Sequence, residues 1–379
     1  MNVAILGPTY PHRGGIAHYT TLLARALDRR DALTLVSFRR LYPSLLFPGT
    51  TQFDRSGEAL EPPKPPEPIL DSMNPLSWVR AGSRLRALDP ELLIVPWWHP
   101  FFGPSLGLAA RRARGRGGRA VRVFLCHNVA PHEGTPLDRA LTAYGLGAAD
   151  AFLVHARSEE ERLQGWARGR PVRVHPHPTY DVFSERAPSR DEARRTLGVS
   201  GRVILFFGYV RPYKGLADLL EALRRARPDA WDRLLVVGEF YEPRERYRAL
   251  LEDPRLRDRV QVVDRYVPNE DVSRWFAAAD VVALPYREAT GSGIAQVAFG
   301  AGAPVIATRT GGLEEVVDEG KTGLLVPPGD PDALARAIER FFDEGMAGAL
   351  REGVADARSR FTWDGLVDAL ESLARECRR

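Results

Sequence analysis

Ten short runs rich in Val, Ile, Leu and Phe punctuate this chain of 379 residues, and none of them alternates strictly between apolar and polar positions. They are Val3–Leu6, Leu33–Ser37, Leu92–Trp97, Val121–Cys126 and Ala151–His155, then Val203–Phe207, Leu234–Gly238, Val260–Val263, Val281–Leu284 and Val305–Thr308. A strand with one wet face alternates, whereas a strand covered on both faces does not. Helical periodicity fills the intervals: Ile16, Tyr19, Leu23, Ala26 and Leu27 share one face, as do Leu216, Leu219, Leu220 and Leu223. Strands alternating with helices predict α/β architecture with parallel sheets. The pattern comes in two blocks, with a stretch rich in Pro, Ser and charge, 176–193, between them. Domains over 1–178 and 179–361 are expected. The segment 41–75 carries eight prolines and little periodicity, and is expected to be an unusually long loop.

Composition narrows the class. Hydrophobic residues make up 44% and charged residues 27%, as in a soluble globular protein. No apolar run reaches the roughly 18–20 residues of a membrane span. The start, Met1-Asn2-Val3-Ala4-Ile5-Leu6-Gly7, reads as a first buried strand rather than a signal peptide. Two cysteines, Cys126 and Cys377, make no disulfide framework, so a cytoplasmic location is expected. The net charge of +4 is unevenly spread: residues 1–178 hold 23 Lys and Arg against 15 Asp and Glu, the remainder 30 against 34. A basic first half suits phosphates, anionic lipids or nucleic acid, but no helix-turn-helix or RNP-type signature is present, and no nucleic-acid partner is expected.

In open α/β sheets ligands bind beyond the carboxyl ends of strands, at helix N-termini. Four such loops stand out. Gly7 to Ile16 brings Gly14 and Gly15 to a helix start, where bare amides can meet an anion; its spacing is not the G-x-G-x-x-G of dinucleotide folds. Phe206 to Leu216 places Gly208, Arg211 and Lys214 before a helix expected at Gly215, aiming two cations and a helix dipole at one point. Tyr286 to Gln296 offers Gly291, Ser292 and Gly293 at another helix start, as amides and a hydroxyl for a second phosphate cradle. Thr308 to Val316 repeats that pattern with Gly311 and Gly312, or is an ordinary turn. In the first block His127 directly follows a strand, where it could bond a sugar hydroxyl or move a proton. His127, His132 and Glu133 lack the H-E-x-x-H spacing, and no metal is expected.

Together these residues resemble the GT-B-fold glycosyltransferases, and within them the retaining bacterial-type enzymes of family 4. The resemblance covers nearly the whole chain and is most specific from Phe206 to Pro328. It implies two Rossmann-like domains facing each other across a donor-binding cleft, with the last helix, 362–379, packing back on the first domain. It implies a nucleotide-diphosphate sugar donor of UDP or GDP type, bound by Gly208, Arg211, Lys214, Gly291, Ser292, Gly293, Ile294 and Gln296, with Gly14 and Gly15 approaching the phosphate. His127 would lie beside the donor sugar and Glu288 would touch its hydroxyls. The catalytic set is then His127, Lys214, Arg211 and Glu288, with no cofactor and no metal, and with retention of anomeric configuration. The acceptor would be a sugar or a lipid-linked sugar, in polysaccharide or glycolipid synthesis.

The chain also departs from the family pattern. Tyr209 stands where relatives carry an arginine, and the pair of glutamates eight apart becomes Glu288 and Gln296, or Ala289 and Val297, depending on the alignment. These departures mark a divergent branch. Trp97-Trp98-His99-Pro100-Phe101-Phe102, with Arg111, Arg112, Arg114, Arg116, Arg119 and Arg122, suits either an anionic membrane surface on the inner face or a solvated helix end beside a partly buried aromatic strand end. Two rival readings are a non-hydrolysing nucleotide-sugar epimerase, disfavoured by the scarcity of carboxylates, and a non-catalytic sugar-nucleotide or nucleic-acid binding protein.

Overall fold

The computed structural model describes residues 1–43, 51–57, 60–114, 119–129, 135–185 and 187–378. The chain divides into two compact units: Met1–Arg55, Ala59–Pro176 and Thr362–Arg379 form one, Ser56–Glu58 and His177–Phe361 the other.

The first unit contains β1 (Asn2–Leu6), α1 (Gly15–Asp28), β2 (Ala32–Arg40), β3 (Glu67–Asp71), α2 (Pro75–Leu88), β4 (Leu92–Trp97), α3 (Gly103–Ala113), β5 (Val121–Cys126), α4 (Pro136–Leu146), β6 (Ala151–Val154), α5 (Arg157–Ala167) and β7 (Val172–Val174). Its seven strands lie in the order β3-β2-β1-β4-β5-β6-β7. All pairings are parallel, as the unalternating apolar runs require. One face is covered by α2, α3, α4 and α5. On that face the helices approach closely through glycines: a Cβ on Gly82 would stand 2.7 Å from Cβ of Arg112, and one on Gly103 2.3 Å from the carbonyl oxygen of Leu141.

The second unit contains α6 (Arg190–Leu197), β8 (Val203–Phe207), α7 (Leu216–Arg225), β9 (Arg233–Val237), α8 (Arg248–Leu251), β10 (Val260–Val263), α9 (Asn269–Ala278), β11 (Val281–Leu284), α10 (Gly293–Gly300), β12 (Val305–Thr308), α11 (Gly312–Val316), β13 (Gly323–Val326), α12 (Pro331–Asp343) and α13 (Ala347–Ala357). The strand order is β10-β9-β8-β11-β12-β13, again with parallel pairing throughout. In both sheets the order reverses beside the first strand, between β1 and β4 and between β8 and β11. Such a reversal sends neighbouring loops to opposite faces and opens a crevice at the carboxyl edge.

The last helix, α14 (Trp363–Glu376), belongs to the first unit. Leu366, Val367, Leu370, Leu373 and Ala374 are buried there with α1 and with β1, β2, β4, β5 and β6. Thr362 caps the helix by accepting from the Gly365 amide. Arg29 and Arg30 of α1 pair with Asp364 and Asp368 along the rim.

The proline-rich segment departs from the expectation of a long loop. Residues 67–71 form the edge strand β3, which tolerates Pro68 because an edge strand need not donate on its outer side. Residues 51–54 lie against the first glycine loop: the Arg13 amide donates to the Gln52 carbonyl and the Asp54 amide to that of Pro11. Within that segment residues 44–50 and 58–59 lie outside the described residues, as do Arg116, His132 and Glu133.

Leu370 is fully buried in the core shared by α14 and the first sheet. Leu370→Ala should cost about 2–5 kcal/mol of stability, measured by denaturant unfolding with Trp363 fluorescence in the same core.

Candidate functional site

The reversal between β8 and β11 is where the second unit gathers its chemistry. After β8 the chain turns at Gly208, whose φ of 99° is open to glycine but strained for other residues. It runs on through Arg211 into a 3₁₀ turn, Pro212–Lys214, and a left-handed Gly215. A Cβ on Gly208 would lie 3.0 Å from Lys214 Nζ and 3.2 Å from Ile294 Cδ1. The lysine therefore folds back over its own loop toward the start of α10. Its ammonium also stands 5.6 Å from the centre of the Tyr286 ring.

Lys214 is only 8% exposed and makes no ion pair among the described residues. Burial, reinforced by the charge of Arg211, pulls its pKa down to about 8. Arg211 itself is exposed, with its guanidinium carbon 4.8 Å over the Tyr241 ring, which also stacks on Tyr209 at 4.5 Å.

The helix that Lys214 meets differs from the one expected. A Cβ on Gly215 would lie 1.9 Å from the carbonyl oxygen of Pro285, so the loop after β11 packs directly against the turn ahead of α7. The first turn of α7 already holds an acid, Asp218, in a two-pronged pair with Arg287 at 2.7 and 2.8 Å. The open start is that of α10. No heavy atom stands within 4 Å of a Cβ built on Gly291, and only the Tyr180 ring approaches Gly293, at 3.8 Å. The Gly293 and Ile294 amides belong to the first turn, where the helix offers no acceptor. Ser292 is not a spare hydroxyl, as the sequence suggested. Its Oγ accepts from the Ala295 amide at 3.2 Å and donates to the Tyr286 hydroxyl at 3.4 Å. It shapes the helix start, while the Gly293 and Ile294 amides carry no side-chain cap.

One turn into α10, Gln296 is 1% exposed, and its Oε1 has no hydrogen-bond partner among the described residues. Glu288 is exposed on the loop ahead of the helix. The loop after β12 is a buttress: a Cβ on Gly311 would meet the Ala289 carbonyl at 1.7 Å, and Thr308 Oγ1 donates to the Tyr286 carbonyl. With α11 only five residues long, the cradle pattern there resolves as an ordinary turn. Tyr286, Tyr180 and Tyr241, which stand near Ser292, Gly293 and Arg211, were not singled out in the sequence, where lone tyrosines carry no spacing signal. Tyr286 is buried, and its hydroxyl reaching Ser292 is what sets it apart.

In the first unit, α1 starts at Gly15 after Gly14, whose φ is 106°. The start has no side-chain cap and no acid in its first turn, and the space around Gly15 is open. Beside it His12 is buried, with Nε2 2.8 Å from the Phe38 carbonyl oxygen, and burial lowers its pKa. His127 follows β5, half-buried, with its amide donating to the Trp97 carbonyl at 2.8 Å. Its ring meets Tyr19 of α1 edge-on at 4.4 Å and lies 5.6 Å from His155. Tyr19 in turn touches Trp363 of α14 at 5.0 Å. No cluster of His, Cys, Asp and Glu able to hold a metal occurs among the described residues.

The aromatic part of the stretch is largely internal, whereas Arg112, Arg114 and Arg119 are exposed. Trp97 and Phe102 are fully buried, while Trp98 bonds Tyr42 and Phe101 stacks on it. Arg122 and Arg114 pair with Asp150, Arg112 bonds Ser83, and Arg111 lies over the Tyr144 ring at 4.2 Å. No helix among the described residues is long and apolar enough to cross a membrane.

Comparison with known proteins agrees with this geometry. Residues 13–179 match the family model described as Glycosyltransferase Family 4, and residues 201–344 that described as Glycosyl transferases group 1. A D-inositol 3-phosphate glycosyltransferase of Acidothermus cellulolyticus is 29% identical over 96% of this chain and 86% of its own length. Another, from Catenulispora acidiphila, is 32% identical over 61% of this chain and 58% of its own length, so the match spans less than two thirds of that relative. Among solved structures, a sucrose-phosphate synthase of Thermosynechococcus elongatus superposes with a TM-score of 0.75 at 22% identity, covering 99% of both chains. Anabaena HepE in complex with UDP does so with a TM-score of 0.74 at 19% identity, also over 99% of both. With both sheets in one strand order and the two family models spanning most of the sequence, the chain belongs to the family 4 glycosyltransferases of GT-B fold.

Proposed function

We propose that this glycosyltransferase takes its sugar from a nucleotide-diphosphate donor, with the diphosphate held where Lys214 meets the start of α10. The observation that carries this reading is the unpaired, buried ammonium of Lys214 beside Gly208 and Ile294. A buried cation without a counter-charge is costly unless an anion arrives. Gly293 and Ile294 amides, the α10 dipole and Lys214 then serve one diphosphate, with Arg211 swinging from Tyr241 to add a second cation. The donor is of UDP or GDP type; UDP is favoured because HepE has been solved with UDP and with UDP-glucose.

As the glycosidic bond to the donor breaks, negative charge grows on the leaving phosphate. Groups already aimed at it lower the barrier without rearrangement. These groups do the work that a metal ion performs elsewhere, so no metal is required. The anomeric configuration is retained, as the family resemblance implies, through front-face attack assisted by the leaving phosphate. Gln296 Oε1, buried without a hydrogen-bond partner among the described residues, accepts from a donor hydroxyl, and Glu288 reaches the sugar. His127 of the first unit bonds a sugar hydroxyl or moves a proton, held in orientation by Tyr19. The acceptor is a sugar or lipid-linked sugar of polysaccharide or glycolipid assembly.

Three outcomes test this. Transfer should persist in EDTA; full loss restored by manganese would contradict the metal-free reading. His127→Ala should cut turnover by about 10²-fold or more while UDP affinity stays nearly constant, as steady-state kinetics and calorimetry would register.

Lys214 gives the sharpest test. Its folded pKa near 8 lies below the ordinary lysine value of 10.5, so the folded protein sheds this proton first. Stability in the absence of anion should rise with pH from about 8 to about 10.5, because there the unfolded chain binds more protons. Anion binding runs the other way. UDP affinity should fall about tenfold between roughly pH 7 and pH 9, as the lysine loses its charge. Lys214→Ala should weaken UDP about tenfold or more at neutral pH, remove that pH dependence and depress transfer further still. Lys214→Arg should restore only part. Calorimetry showing unchanged affinity in the alanine variant would place the phosphate elsewhere.

A further inference from the structure

Three successive helix starts on one face of the first unit share a sequence device. They read Asn74-Pro75-Leu76 at α2, His99-Pro100-Phe101 at the turn leading into α3, and Thr135-Pro136-Leu137 at α4. In each, the first residue caps the helix: Asn74 accepts from Leu76 N–H, His99 from Phe101 N–H and Thr135 from Asp138 N–H. The proline fixes the first helical position and the next residue is large and apolar. Because each helix follows a parallel strand, all three starts lie at the carboxyl edge of the sheet. The close contacts of Gly82 with Arg112 and of Gly103 with Leu141 keep the helices side by side.

The apolar residues point outward. Leu76 is 67% exposed, Leu137 65% and Met73, just ahead of α2, 53%, with Phe101 half-buried among them. Of the six large hydrophobics exposed among the described residues, four are on this helical layer: these three and Tyr144 of α4. The α2, α3 and α4 part of the layer is basic. Arg80, Arg84, Arg86, Arg111, Arg112 and Arg139 lie there against one acid, Asp138, which is tied into its own cap; Arg84 pairs with Glu67 of β3, and the acids Glu159, Glu160 and Glu161 of the layer lie on the neighbouring α5. Arg80, Arg86 and Arg139 are exposed and make no ion pair among the described residues.

We propose that this face docks on an anionic lipid bilayer. Leu76, Leu137 and Met73 enter the boundary between headgroups and acyl chains, and the arginines meet lipid phosphates. Apolar side chains at one rim with basic side chains behind them are what an interfacial surface needs. A second copy of the chain is a poor occupant, since two arginine-rich faces repel. Docking through this face is independent of the phosphate site in the second unit and of the acceptor's identity.

Vesicle co-sedimentation of the full chain tests this. The protein should bind phosphatidylcholine vesicles only when phosphatidylglycerol is included, and binding should weaken as salt is raised. Leu76→Ser with Leu137→Ser should lower the partition coefficient by about tenfold or more. Arg80→Glu with Arg139→Glu should lower it further at low salt. Both pairs are exposed, so thermal unfolding and UDP binding should match the wild type, which separates loss of docking from loss of fold or donor site. Three results would overturn the proposal: no binding by the wild type to phosphatidylglycerol vesicles at low salt; wild-type binding by the leucine variant; or a concentration-dependent dimer in sedimentation velocity that the leucine variant loses.

Discussion

Every pairing between the named strands of both sheets is parallel, and the placement of chemistry follows from that. Parallel strands need crossovers, and the crossover helices bury both sheet faces. Nothing reactive can then sit on a face. All carboxyl ends emerge on one edge, each delivering a loop and the N-terminus of a helix. Where the order reverses, between β8 and β11, the two loops part toward opposite faces and leave space. The Lys214 loop and the start of α10 lie on the two sides of that parting, although roughly eighty residues of chain separate them.

The electrostatics of Lys214 stand out against the other buried charges. Asp280 takes Arg190 and Arg194, Asp150 takes Arg122, and Asp218 takes Arg287. Each of these three carboxylates is met by a guanidinium, as the cost of an isolated buried charge demands. Lys214 faces a tyrosine ring, a glycine and a second cation instead. Asp218, four residues on, could have supplied a counter-charge but is committed to Arg287. Among the described residues the Lys214 ammonium makes no ion pair, and an anion arriving from outside would supply the missing charge.

The sequence revealed most of the scaffold and part of the site. Ten runs of branched residues marked ten strands because burial on both faces removes any need for polar positions. β3, β7 and β13 escaped: β3 carries a proline, β7 has three residues, and Gly323 opens β13. Gly208, Lys214 and Gly293 were read from loop position and Ile294 from the family resemblance, and the structure brings Lys214 and Ile294 together beside Gly208. The choice of helix was misread because spacing along a chain does not fix where a four-carbon side chain lies. The lysine turns back over Gly208, and only three-dimensional packing, with Pro285 against Gly215, explains why. For the run from Trp97 to Phe102 the sequence left two readings open, a membrane surface or a partly buried aromatic strand end, and the Trp and Phe rings are buried or half-buried. At the end of a doubly covered strand, consecutive large rings are core, and the exposed apolar residues of that layer, Met73, Leu76, Leu137 and Tyr144, are scattered singly where composition cannot flag them.

Two residues at each helix start decide what that start can do. At α1 and α10 a glycine stands first, so no side chain shields the amides of the opening turn. Gly14 at α1 supplies no cap at all, and Ser292 at α10 uses only the Ala295 amide, leaving those of Gly293 and Ile294. At α2 and α4 and at the turn into α3 the first residue is proline, which has no N–H to offer, and a cap side chain consumes an amide one or two positions on. Such a start is poor for anions, and it holds the residue after proline in a fixed outward position. Both kinds arise at the carboxyl edge of a parallel sheet with the same dipole. One presents backbone polarity to a small anion, the other an apolar side chain to a surface. On the two proposals above, a single architecture would separate a phosphate site from an interfacial face by exchanging glycine for proline at the first helical position.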